Sequence, residues 1–94
     1  MIAVVLSARI KKTAEKLPPD VREKVGKTIA AVAVAFGEPH KHGGLGLRKL
    51  ARRSYEARAH LQWRVVFIHE GKSLVAYDIM DHDDVATWLR GQRK

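Results

Sequence analysis

The chain has 94 residues, 18 Lys or Arg against 10 Asp or Glu, a formal net charge of +8 and no cysteine. That length suits one domain, residues 1–94, burying roughly 60 to 65% of its unfolded surface. A composition of 46% hydrophobic and 30% charged residues excludes a disordered tail. Disulfides, thiolate nucleophiles and cysteine-bound zinc are excluded too. No segment is apolar for long enough to cross a membrane. The apolar run of MIAVVLSARIKK precedes its charges, the reverse of a secretory signal, so the cytoplasm is the expected address.

In chain order, IAVVL at residues 2–6 predicts a short buried strand. Ser7 can cap a helix over 8–17 with Ala8, Ile10, Ala14 and Leu17 as its apolar face. Pro18 and Pro19 end that helix, and because proline is tolerated in a first turn, a second helix starts at Pro19 or Asp20. Its inward stripe is Val21, Val25, Ile29, Val32 and Phe36. Gly37 suits a helix C-terminus and Pro39 prevents continuation, so the two helices form a hairpin.

After a polar loop over 38–44 the period changes from helical to alternating. A short strand is expected around 45–50. In the next strand, residues 54–60, Tyr55, Ala57 and Ala59 face the core while Ser54, Glu56, Arg58 and His60 face away. Residues 63–69 form a further strand, Glu70, Gly71 and Lys72 a turn, and residues 73–80 a last strand with Val75, Tyr77 and Ile79 on one side. Asp81 then caps a short helix, with Asp84 three positions on and Val85, Trp88 and Leu89 packing inward. The expectation is an α+β layout: an N-terminal strand and helical hairpin on one face of a mostly antiparallel sheet of four or five strands, then a short C-terminal helix.

Charge is concentrated in residues 41–64, with seven Lys or Arg against Glu56 alone, which holds +6 of the net +8. A patch of this kind points to a polyanion, either nucleic acid or an acidic protein. Within it Glu56, Arg58 and His60 project side by side at about 7 Å intervals along a strand. A turn of odd length over His60, Leu61 and Gln62 puts Arg58 and Arg64 on one face, whereas a two-residue turn puts them on opposite faces; the sequence leaves both registers open. His82, at the end of the last strand, reaches the same surface if that strand neighbours the one carrying Arg64.

Arg, Arg, His and Glu on a basic sheet face are the parts needed to cleave RNA without a metal or other cofactor. A base takes the 2′-hydroxyl proton, an acid protonates the leaving 5′-oxygen, and cations stabilise charge on the phosphorus oxygens. Histidine changes charge near neutral pH, and arginine grips phosphate bidentately. Each residue also has a plainer reading. Glu56 and Arg58 serve equally well as a solvated strand face. His60 and His69 fit ordinary surface histidines, and Trp63 and Tyr55 fit core positions as well as base-stacking ones. The His40 and His42 pair, in a loop, lacks a convincing metal spacing. Lys41, Arg48, Lys49, Arg52 and Arg53 read as a phosphate-gripping surface, with Trp63 a stacking candidate beside it.

Leu17 with Pro18, Lys49 with Leu50, YEAR at 55–58, RVVF at 64–67 and HDDV at 82–85, in that order, resemble the RelE/ParE superfamily of toxins from type II toxin–antitoxin modules. The resemblance spans nearly the whole chain and implies a RelE-like fold. In its RelE and YafQ branch such proteins are ribonucleases that enter the ribosomal A site, cut mRNA and so inhibit translation. A cognate antitoxin inhibits them, and they meet DNA only through the antitoxin complex. Arg58 and Arg64 match the family's functional basic positions, His82 the C-terminal histidine of YafQ-like members, and His60 falls near another. Glu56 stands where a RelE lysine would fall, and Ala86 replaces the aromatic that commonly follows the final valine. Both departures favour a histidine-based variant. The resemblance therefore implies an mRNA endoribonuclease with Arg58, Arg64, His82, His60 and Glu56 at its centre, or alternatively a ParE-like inhibitor that binds DNA gyrase without chemistry. An RNA-binding module without toxicity is a third reading.

Overall fold

The computed structural model describes residues 1–38 and 43–92. Its elements are β1 (Ala3–Leu6), α1 (Ala8–Glu15), α2 (Pro19–Ala35), a 3-10 turn (Gly43–Leu45), β2 (Arg48–Lys49), β3 (Ser54–Arg58), β4 (Trp63–Glu70), β5 (Ser73–Asp81) and α3 (His82–Gly91). The strands lie in the order β1-β5-β4-β3-β2, with β1 parallel to β5 and the other pairs antiparallel. This is the expected α+β arrangement. Among the described residues no helix is long and apolar enough to cross a membrane.

Local chemistry explains the element ends. The Ser7 hydroxyl accepts from the Ile10 N–H at 3.0 Å and donates to the Tyr77 carbonyl at 2.6 Å, so one side chain caps α1 and fastens it to β5. Pro19 occupies the first turn of α2, where its missing N–H costs nothing. Phe36 leaves the helix in an extended conformation and Gly37 takes φ +90, a region that favours glycine. Asp81 Oδ1 accepts from the Asp84 N–H at 2.8 Å and caps α3.

The core joins the helical hairpin to the middle of the sheet. Val65, Phe67, Leu74, Ala76 and Ala57 are fully buried, and Ile10, Val21, Val25, Val32, Leu47 and Ile79 complete the cluster. Phe36 meets Tyr55 and His69 edge-on, each at 5.0 Å between ring centroids, so His69 is engaged in an aromatic cluster.

The structure departs from the expected pattern in four places. The strand at 2–6 is not buried: β1 is an edge strand with Val5 54% and Leu6 44% exposed, because among the described residues it pairs with β5 alone, and Val4 and Ile2 are what it packs on the core. The strand expected around 45–50 shrinks to two residues, since Leu45 belongs to the 3-10 turn. The strand from 54 ends at Arg58, leaving His60 in the turn. In β5 the inward residues are Leu74, Ala76 and Ile79, not Val75, Tyr77 and Ile79. Val66 lies opposite Asp78 and Phe67 opposite Ala76, so Tyr77 is the extra residue of a bulge that switches which side chains face the core. Tyr77 instead lies against Trp88 of α3, at 5.5 Å, with the Arg9 guanidinium 5.3 Å from its ring centroid.

Candidate functional site

The β3–β4 connection settles the register that the sequence leaves open. The Ala59 N–H donates to the Trp63 carbonyl at 3.0 Å and the Trp63 N–H to the His60 carbonyl at 3.1 Å, which leaves His60, Leu61 and Gln62 as a three-residue turn. Arg58 therefore stands opposite Arg64 on one sheet face. Glu56, two residues earlier, shares that face opposite Val66, and Arg48 of β2 lies opposite Glu56. The face is completed from the other end of the chain: the His82 N–H donates to the Gln62 carbonyl at 3.0 Å, tying the first turn of α3 to the β3–β4 turn.

These residues surround one cavity of about 300 Å³, lined by Gly46, Leu47, Arg48, Glu56, Arg58, Arg64 and His82. Its wall is tightly fitted at Gly46, which has φ +61 and would place an added Cβ only 3.1 Å from Arg58 Cβ. Glycine is required there on both counts. The Thr28 hydroxyl of α2 reaches the Arg58 carbonyl at 3.5 Å. Arg64 donates through one Nη to the Leu61 and Trp63 carbonyls, both at 3.3 Å, and so braces the turn.

Glu56 does not behave as a solvated strand residue. It is 3% exposed, its Oε2 accepts from Arg48 Nε at 2.5 Å, and its Oε1 is buried without a hydrogen-bond partner among the described residues. A buried carboxylate oxygen with no donor is costly, by about 1 to 3 kcal/mol or more. Three guanidinium groups and one carboxylate thus meet at a cavity that also holds an imidazole. The set can bind a phosphate between arginines, accept a proton and donate one.

The other sequence candidates separate from this group. His60 is in the turn and outside the cavity lining. Trp63 alternates to the opposite side from Arg64 and, half-buried, packs against the core cluster away from the cavity. Lys49 ends β2, and Arg52 and Arg53 occupy the bend between β2 and β3, exposed and near the cavity strands. Lys41, His40 and His42 lie outside the described residues. Among the described residues no three His, Asp or Glu side chains come together as metal ligands. Sequence reasoning missed Gly46, Leu47 and the Arg48–Glu56 pair. Opposite charges eight residues apart across a predicted hairpin were the available signal for the pair, but it has meaning only once the β2–β3 register is known.

No protein-family model and no curated protein matches the sequence. Solved structures do match its shape. The RelB–RelE antitoxin–toxin complex from Methanococcus jannaschii matches with a TM-score of 0.67 at 11% identity, over 89% of this chain and 96% of that one. The RelE–RelB complex from Pyrococcus horikoshii OT3 matches with a TM-score of 0.67 at 16% identity, over 85% and 93%. YafQ from E. coli strain BL21(DE3) matches with a TM-score of 0.66 at 11% identity, over 90% and 98%. At such identities the agreement lies in the path of the backbone, and on that ground the chain has the RelE-like fold of these toxins.

Proposed function

We propose that this protein is the toxin of a toxin–antitoxin module and that it inhibits translation as a ribosome-dependent mRNA endoribonuclease. The observation that carries the reading is the convergence of Arg58, Arg64, Glu56 and His82 on one cavity of a strongly basic chain. Arg58 and Arg64 hold the scissile phosphate and offset the charge that grows on its oxygens. Glu56 takes the proton from the 2′-hydroxyl as the 2′-oxygen bonds to phosphorus. His82 gives a proton to the 5′-oxygen as the P–O5′ bond breaks, leaving a 2′,3′-cyclic phosphate and a 5′-hydroxyl. Each step is served by a side chain, so no metal or cofactor is called on. Lys41, Lys49, Arg52 and Arg53 grip neighbouring phosphates without reading sequence. His60, outside the cavity lining, has a lesser part than the resemblance implied.

A cognate antitoxin is the partner that the RelE–RelB pairing of the structural neighbours supports, and the ribosome with its mRNA follows from the nuclease reading. An acidic antitoxin segment covering the basic face would block the cavity. The gyrase-inhibitor reading has no observation in its favour, and a binding-only role leaves the buried Glu56 unexplained.

The test is ribosomes programmed with a defined mRNA, with cleavage mapped by primer extension. Wild-type protein cuts within the A-site codon, and Arg64→Ala and His82→Ala lose cutting while keeping the native circular dichroism spectrum. Full toxicity of both variants in cells, with filamentation and DNA damage, would replace the nuclease with the gyrase reading.

A further inference from the structure

Arg48 belongs by charge with the phosphate-gripping cations, yet its geometry separates it from them. Its Nε is committed to Glu56 Oε2, the shortest polar contact of the cavity, although 65% of the Arg48 side chain is exposed against 4% for Glu56. The exposed partner thus serves the buried one. Without Arg48, Glu56 would be a buried carboxylate with no hydrogen bond to either oxygen among the described contacts. The cross-strand register makes the pairing a built feature, since residues 48 and 56 face each other directly on β2 and β3.

We propose that Arg48 is a positioning residue that acts through Glu56, holding the carboxylate in one rotamer, and is not itself a phosphate contact. Fixing Oε2 leaves Oε1, which has no partner among the described residues, as the remaining acceptor of a carboxylate that lines the cavity beside Arg58. Once a bound substrate reaches it, an acceptor whose orientation is already set takes a proton from a ribose hydroxyl without first giving up a protein partner. A carboxylate free to rotate would instead close on the Arg58 guanidinium and compete with the phosphate for it. This inference rests on the nuclease reading for its catalytic meaning, but the assignment of Arg48 to Glu56 does not.

Two measurements test it. In the ribosome assay Arg48→Ala lowers kcat on the order of tenfold to a hundredfold and leaves KM unchanged, Arg48→Lys recovers part of the loss, and Arg48→Ala adds nothing to Glu56→Gln in the double variant. The double variant also removes the uncompensated buried charge, so it reports even if Arg48→Ala alone unfolds. In binding to an uncleavable 2′-O-methyl oligonucleotide, Arg58→Ala reduces the slope of log affinity against log salt by about 0.7, while Arg48→Ala leaves it at the wild-type value. A raised KM, additive losses with Glu56→Gln, or a slope reduced by Arg48→Ala would each overturn the proposal and return Arg48 to the phosphate-binding set. If the wild-type protein cuts no mRNA on ribosomes, the nuclease reading fails by itself, and the salt slopes still decide what Arg48 serves.

Discussion

If the Arg48–Glu56 pair is kept for function, the fold is better off without it. The carboxylate is buried beside apolar groups, with Val66 opposite it fully buried and Leu47 6% exposed on the wall of a cavity that Arg58, Arg64 and His82 also line. The charged hydrogen bond to Arg48 contributes about 1.5 to 3 kcal/mol, and the orphaned Oε1 costs about 1 to 3 kcal/mol, so the pair nets close to zero. Replacing both partners by apolar residues, as Arg48→Met with Glu56→Leu, removes the cost and adds apolar burial. A stability equal to wild type or higher by about 1 to 4 kcal/mol is expected. Arg48→Ala alone removes the favourable half and destabilises by about 1.5 to 3 kcal/mol. For a domain of this size 1 kcal/mol corresponds to roughly 4 to 8 °C in Tm, so the two variants should melt on opposite sides of wild type, or with the double variant level with it. Urea unfolding followed by circular dichroism measures the differences at constant m-value. A double apolar variant less stable than wild type by more than about 1 kcal/mol would refute the reasoning, since the pair would then be holding β2 to β3.

Gly46→Ala places a residue with a side chain at φ +61 and a Cβ 3.1 Å from Arg58 Cβ, so it should cost about 1 to 2 kcal/mol of stability and displace Arg58, reducing phosphate-dependent binding more than the stability loss explains. Ser7→Ala removes the α1 cap and leaves the Tyr77 carbonyl without its hydroxyl donor, which should lower unfolding free energy by about 0.5 to 2 kcal/mol. Phe67→Ala empties the centre of the core and should cost about 3 to 5 kcal/mol in urea unfolding. Val5→Lys, on the open edge of β1, should stay within about 0.5 kcal/mol of wild type, and a large loss there would contradict the edge placement.

Much of the local structure is legible in the residues. Ser7, Pro19, Gly37 and Asp81 mark helix ends by chemistry that acts over three or four positions, and each does so in the folded chain. The concentration of charge in 41–64 is a property of composition, and it led to Arg58, Arg64 and Glu56 before any fold was known. Periodicity failed where a second strand had to be known. IAVVL reads the same whether one or two neighbours pair with it, so its edge position was invisible. Alternation along β5 predicts an unbroken strand, whereas the bulge at Tyr77 lets Ala76 and Ile79, three residues apart, face the same core.

The residues alone dictate the kind of chemistry available: helices with stated ends, a basic segment, and Arg, His and Glu without cysteine. Tertiary structure alone decided which of those groups meet. A turn of three residues and not two brings Arg58 opposite Arg64, a carbonyl in that turn accepts from the backbone of His82, and the fold closes over Glu56 with Arg48 holding its carboxylate. The reason is physical: side-chain alternation has period two, so one residue of register moves a group to the other face, and register between strands is set by packing that no local stretch of sequence contains.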